Sequence, residues 1–152
     1  PRIPPAPKAT DVGVGEVASG KNWTVTSAEA IHVQPYLDSL AYRVDTPEGS
    51  VVFTGDTEPC DSVRDLARDA DMMVCMCWDE QSVMEGNNEH RGQCGTTGAA
   101  QLAQEAGVKQ LVLVHMGPTL SKDTPFDRHY EEMTPMYDGK MIFSEELMRI
   151  EV

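Results

Sequence analysis

The chain has 152 residues, enough for one domain with its own hydrophobic core, and a composition of 40% hydrophobic and 24% charged residues excludes a disordered polypeptide. Its formal net charge of −13 argues against binding nucleic acid through the general surface, because phosphate neutralisation needs clustered Lys and Arg, so a small-molecule substrate is expected. No apolar run approaches a membrane span or a signal-peptide core, and Cys60, Cys75, Cys77 and Cys94 form no paired C-x-x-C motif; free thiols, solubility and a cytoplasmic location are expected.

Residues 1–10 carry four prolines and read as an extended linker, leaving 11–152 as the folded portion. From Asp11 to Val33, apolar residues alternate with small or polar ones around a turn at Ser19-Gly20, which predicts two strands in a hairpin. A second hairpin is predicted from SLAYRVDT and SVVFTGD, joined by Pro47-Glu48-Gly49. Val63, Leu66, Ala67 and Ala70 recur at helical spacing, giving a predicted helix over 61–70 capped by Asp61 or Ser62. DMMVCMCW is a continuous apolar run of the kind found in a strand covered on both faces.

Residues 79–95 are polar and read as a long loop, a candidate lid. Thr97 is placed to cap a helix running to Ala106, with Gly107 in the position that favours positive φ. VKQLVLVH is a further buried strand, DTPFDRHYEEM a polar helix with His129 on a solvated face, and KMIF and LMRIEV closing strands. Strands dominate the first half and alternate with helices in the second, the pattern of an α/β protein.

Three potential metal ligands stand where hydrophobic strands stop: His32 shortly before Pro35, Asp56 after SVVFTG, and His115 after LVLV. Strand ends form the rim on which α/β proteins bind ligands, and two imidazoles with a carboxylate make a credible but incomplete zinc shell. Each also has a plainer meaning, since isolated histidines are common and Gly-Asp-Thr is a frequent turn.

AYRVDTPEGSVVFTGDT followed by GTTGAAQLAQEAGVKQLVLVHMGP resembles the latter half of metallo-β-lactamase-superfamily hydrolases of the ribonuclease Z and arylsulfatase-like branch. The resemblance covers most of the chain and implies an αββα sandwich of which this chain supplies the C-terminal half. It implies that His32 joins one metal, Asp56 bridges two, and His115 binds the second. The ions would be one or two zincs, with manganese or iron as alternatives. The family's upstream His-x-His-x-Asp-His loop has no counterpart among the four isolated histidines of this sequence. A missing N-terminal segment of the same domain is therefore an expected partner, since half a sandwich leaves a sheet face bare; homodimerisation stays open.

The implied chemistry is hydrolysis by a metal-bound hydroxide of an ester, lactone, sulfate or phosphodiester, with Asp56 orienting the nucleophile. His90 is a candidate catalytic acid, although it stands six residues ahead of Thr96 where relatives place a His-x-Thr. Trp78 is a candidate substrate-binding residue, with core packing as its plain alternative. Alternatives are a hydrolytic dehalogenase or ribonuclease Z-like phosphodiesterase on the same scaffold, a redox protein using iron, and a non-catalytic binding module that has lost its metal.

Overall fold

Antiparallel strands can be joined by short turns, whereas parallel strands need a crossover of a dozen or more residues. The chain uses both devices in succession. The computed structural model describes residue 6, residues 8–120 and residues 126–152. Among these, seven strands lie in chain order across one mixed sheet. Strands β1 (Gly15–Ser19), β2 (Thr24–Ala30), β3 (Ser39–Thr46) and β4 (Gly49–Phe53) pair antiparallel through the two predicted hairpins. Strands β5 (Met72–Met76), β6 (Gln110–Val114) and β7 (Lys140–Phe143) then add in parallel to β4.

The crossovers are helical: α1 (Asp61–Leu66) precedes β5, α2 (Gln81–Asn87) and α3 (Thr96–Ala106) precede β6, and α4 (Asp127–Met133) precedes β7. Register sets which residues share a face: Val52 lies opposite Met73, and Met73 opposite Leu111. These three, with Cys75, Leu113 and Phe143, form one buried core with Val63, Ala67, Leu102, Ala103 and Met133 of the helical crossovers. Small alanines along α3 let that helix sit close to the sheet, and Gly107 closes it at φ +69°.

The alternate residues Val51, Phe53, Val74, Val112 and Val114 point to the other face. Together with Met148, Ile150 and Val152 they line a groove of about 410 Å³, and Phe53 remains 46% exposed. β5 is thus covered fully on one face only, with Val74 half-buried, where the apolar run predicted cover on both. LMRIEV forms no strand: its alternating apolar residues lie along this groove, and Gln110 Nε2 donates to Glu151 O at 3.1 Å.

Five other expectations change. Helix α1 stops at Leu66, the chain reversing at Asp69 with φ +54°. Its N-cap is Cys60, because Ser62 Oγ donates to Glu29 O at 2.6 Å and Asp61 pairs with Arg64 at 2.8 Å. Within 79–95 the fully buried Met84 anchors the short helix α2, which ends at left-handed Asn88. Helix α3 is capped by Gly95, not Thr97; a Cβ there would meet Gln81 Oε1 at 2.8 Å and Asp79 O at 2.9 Å. His129 is 2% exposed, with its ring beside Phe126 and Phe143 and its Nδ1 3.6 Å from Glu80 Oε1, rather than on a solvated face.

Cys75, Cys77 and Cys94 are buried free thiols and Cys60 is a half-buried one, as expected. Among the described residues, no helix is long and apolar enough to cross a membrane. The expected linker over 1–10 falls largely outside the described residues, as do residues 123–125 at the start of the predicted helix DTPFDRHYEEM.

Candidate metal centre

β4, β5 and β6 are mutually parallel, and β2, two antiparallel steps from β4, runs with them. Their C-terminal ends therefore share one edge, and the residues just past those ends meet there. Asp56 arrives on the Gly-Asp-Thr turn, which Gly55 makes possible by adopting φ +59°. Thr57 then ties this turn to the end of β2: Ile31 N donates to its fully buried Oγ1 at 2.9 Å, and Glu58 N donates to Ile31 O at 2.8 Å.

The result is a convergence on one carboxylate oxygen. His115 Nε2 is 3.3 Å and His32 Nε2 is 3.9 Å from Asp56 Oδ2. Two ligands about 2.1 Å from a tetrahedral ion stand about 3.4 Å apart, so these separations suit a shared cation. The His32 tautomer follows from its other nitrogen, which lies 2.7 Å from Gly92 O. A carbonyl only accepts, so Nδ1 carries a proton, and the neutral tautomer this selects presents a lone pair at Nε2. That lone pair faces a carboxylate oxygen that also only accepts, and a cation between them satisfies both. The donor set fits zinc, with an imidazole held in one tautomer by a backbone carbonyl.

His115 adopts φ +55°, a left-handed conformation rare for a residue with a Cβ. Such backbone costs on the order of 1–3 kcal/mol and persists where the surroundings impose it, often at functional sites. Here it turns the imidazole at the end of β6 toward Asp56. Trp78, at the end of β5, packs edge-on against it with ring centroids 5.7 Å apart. Trp78 O accepts from Gly117 N at 2.8 Å, and a Cβ on Gly117 would lie 2.7 Å from that oxygen. A groove of about 220 Å³ lies beside Asp56 and His115, floored by Phe53, Val74, Met76 and Val114.

His90 lies past α2, half-buried, with Nδ1 buried and unpartnered, and makes no hydrogen bond with His32, Asp56 or His115 among the described residues. Two residues on, Gly92 does reach the site, and its N–H donates to Glu58 Oε2 at 2.8 Å. Sequence reasoning passed over Glu58 and Gly92; the available signals were a carboxylate two residues past Asp56 and a glycine inside a polar loop. Among the described residues no group of three or more His, Cys, Asp or Glu side chains is assembled to hold a metal ion. What the edge shows is one carboxylate oxygen approached by two imidazoles.

Residues 4–116 match the family model described as the beta-lactamase superfamily domain, and the chain belongs to that superfamily. It is 33% identical over 114 residues to ribonuclease BN of Escherichia coli, an alignment covering 75% of this chain and 34% of that protein. The chain thus spans about a third of the length of the curated relatives it matches. Its fold is similar to the metallo-beta-lactamase fold protein YhfI from Bacillus subtilis, with TM-score 0.68, 22% identity, and 84% of this chain and 49% of that chain covered. It is also similar to the short form of human tRNase Z, with TM-score 0.64, 18% identity, and 90% and 44% covered.

Proposed function

We propose that this chain contributes His32, Asp56 and His115 to the zinc centre of a metal-dependent hydrolase, and that the bond cleaved is a phosphodiester. The observation that carries the metal assignment is the approach of both Nε2 atoms to Asp56 Oδ2, at 3.3 and 3.9 Å, with the His32 proton held on the opposite nitrogen by Gly92 O. The 33% identity to a ribonuclease supports a phosphodiester ahead of the lactone, carboxylic ester and sulfate that the same centre could take.

Zinc bound here would lower the pKa of a coordinated water to about 7 and polarise the substrate's phosphoryl oxygen. The chain's own groups do the rest. Asp56 accepts a hydrogen bond from the attacking water and orients it between the two imidazoles. Trp78 holds the His115 ring edge-on and offers its remaining surface to an apolar part of the substrate. His90, two residues from Gly92 and with its Nδ1 unpartnered, is the group assigned to donate a proton to the leaving oxygen. The net charge of −13 favours a small phosphodiester over a long polyanion.

The test is hydrolysis by the full-length, zinc-loaded protein of an aryl phosphodiester beside an aryl acetate, a lactone and an aryl sulfate. Turnover of the phosphodiester at least tenfold faster than the others, lowered by a factor of about 10²–10⁴ in His90→Ala, is the expected result. Absence of turnover on all four, with zinc bound, identifies a binding module instead.

A further inference from the structure

The loop after α2 is clamped to the end of β2 by contacts that end on a proposed ligand. Gly92 has φ +72°, and a Cβ added to it would lie 1.9 Å from His32 O and 2.9 Å from His32 Cα. No L-residue fits there without moving one backbone off the other. Across this contact run two hydrogen bonds in series: Glu58 Oε2 accepts from Gly92 N at 2.8 Å, and Gly92 O accepts from His32 Nδ1 at 2.7 Å. Glu58 is itself fixed to the same strand end, since its N–H donates to Ile31 O at 2.8 Å and its carbonyl accepts from Thr57 Oγ1 at 2.8 Å.

We infer that Glu58 and Gly92 are positioning residues for His32, forming a carboxylate–backbone–imidazole relay through Gly92 that fixes the tautomer and direction of its Nε2. The inference rests on the proposed role of His32 as a ligand. Glu58, by accepting from the Gly92 N–H, holds the loop backbone against the end of β2, and so fixes the Gly92 carbonyl, which belongs to the next amide, against the imidazole. Because Nδ1 is kept protonated, Nε2 stays a lone-pair donor, the form a metal takes up. The close approach explains why the linking residue is glycine: any side chain would lift its carbonyl away from the ring. Asp56 and His32 thus reach the edge through one structure, the turn 55–58 setting the carboxylate directly and the imidazole through Gly92.

The relay is tested in the full-length protein by two readouts. Nitrogen-15 NMR of the metal-free wild type, well above the usual histidine pKa, reports the His32 tautomer, with the proton expected on Nδ1. Competition with a chromogenic chelator reports Zn²⁺ affinity for wild type, Glu58→Ala and Glu58→Gln. Glu58→Ala should weaken Zn²⁺ binding by about tenfold or more and give mixed His32 tautomers, whereas Glu58→Gln, which keeps an acceptor oxygen, should stay within about threefold of wild type. An Nε2-protonated His32 in the wild type overturns the relay whether or not Glu58→Ala folds. So does Glu58→Ala with unchanged affinity, or Glu58→Gln as weak as Glu58→Ala. Wild-type protein that binds no Zn²⁺ defeats the metal reading instead, and the tautomer still decides the relay.

Discussion

At His115 a backbone held at φ +55° and a side chain aimed at Asp56 occur in one residue. If the left-handed turn serves the site and not the fold, His115→Gly releases it. The relief of about 1–2 kcal/mol is offset in part by the ~0.5–1 kcal/mol entropy cost of glycine. Metal-free His115→Gly should therefore melt at or above the wild-type temperature while Zn²⁺ affinity falls at least tenfold; a clear drop in melting temperature would show that the ring is structural. Gly92→Ala, by contrast, should lower stability as well, by more than about 1 kcal/mol, because its Cβ meets the His32 backbone, as urea unfolding would measure. His32, Asp56 and His115 were legible in the sequence because each follows the end of an apolar strand. Gly92 and Glu58 were not, since their contacts depend on a loop crossing back to a strand 60 residues earlier in the chain.

Among the elements, α4 and the turn before β5 carry the titrations that matter. Burial, then the nearby Arg128, lowers the His129 pKa, with Glu132 and Asp79 opposing. A folded-state pKa below the unfolded one means that the unfolded chain takes up the proton first, so this contribution is intact above about pH 6.5 and is lost as pH falls below it. His129→Leu should flatten the decline in urea midpoint below that pH; an unchanged slope would place the ring in water.

Asp71 behaves as an acid-side lock. Hydrogen bonds from Lys109 Nζ at 2.7 Å and from the Ser50 N–H and hydroxyl at 2.8 and 2.9 Å hold its carboxyl down to about 2. Its contribution is present above the usual aspartate range and lost as pH falls from about 4 toward 2. Asp71→Asn should cost about 1–2 kcal/mol near neutrality, a difference from wild type that disappears across that window in urea titrations. The hairpins, α3 and the parallel strands were readable from periodicity and turn residues. The helix over 81–87 was not, because one buried Met84 in a polar segment gives no periodic signal, and His129 was misread because aromatic residues from α4 and β7 close over a helix whose neighbours are polar.

For the whole molecule, the decisive feature is the contrast between the sheet's two faces. One is closed by helices; the other leaves Phe53, Val51, Val74 and Val114 in a groove shared with the C-terminal tail. We propose that a further segment of the same domain covers this face and supplies the remaining metal ligands. The present chain alone should then bind a hydrophobic dye such as ANS that the full-length protein does not; equal binding by both would mean the face stays open. The single-sheet α/β architecture and its family resemblance were evident from the order of motifs, since strands, Gly-Asp-Thr turn, alanine-rich helix and histidine-ended strand follow in sequence. What covers the bare face was not, because the alternation of Val51, Phe53, Val74 and Val112 marks a surface to be buried without marking its partner.

The metal centre is tested most directly by the zinc content, from elemental analysis, of the full-length protein purified without chelators, compared with its Asp56→Ala and His115→Ala variants. One to two zinc ions per wild-type molecule are expected, with a clear loss in both variants while circular dichroism shows the fold retained. Wild-type protein without metal, or variants that keep the full complement, would contradict the assignment of this edge as a metal centre.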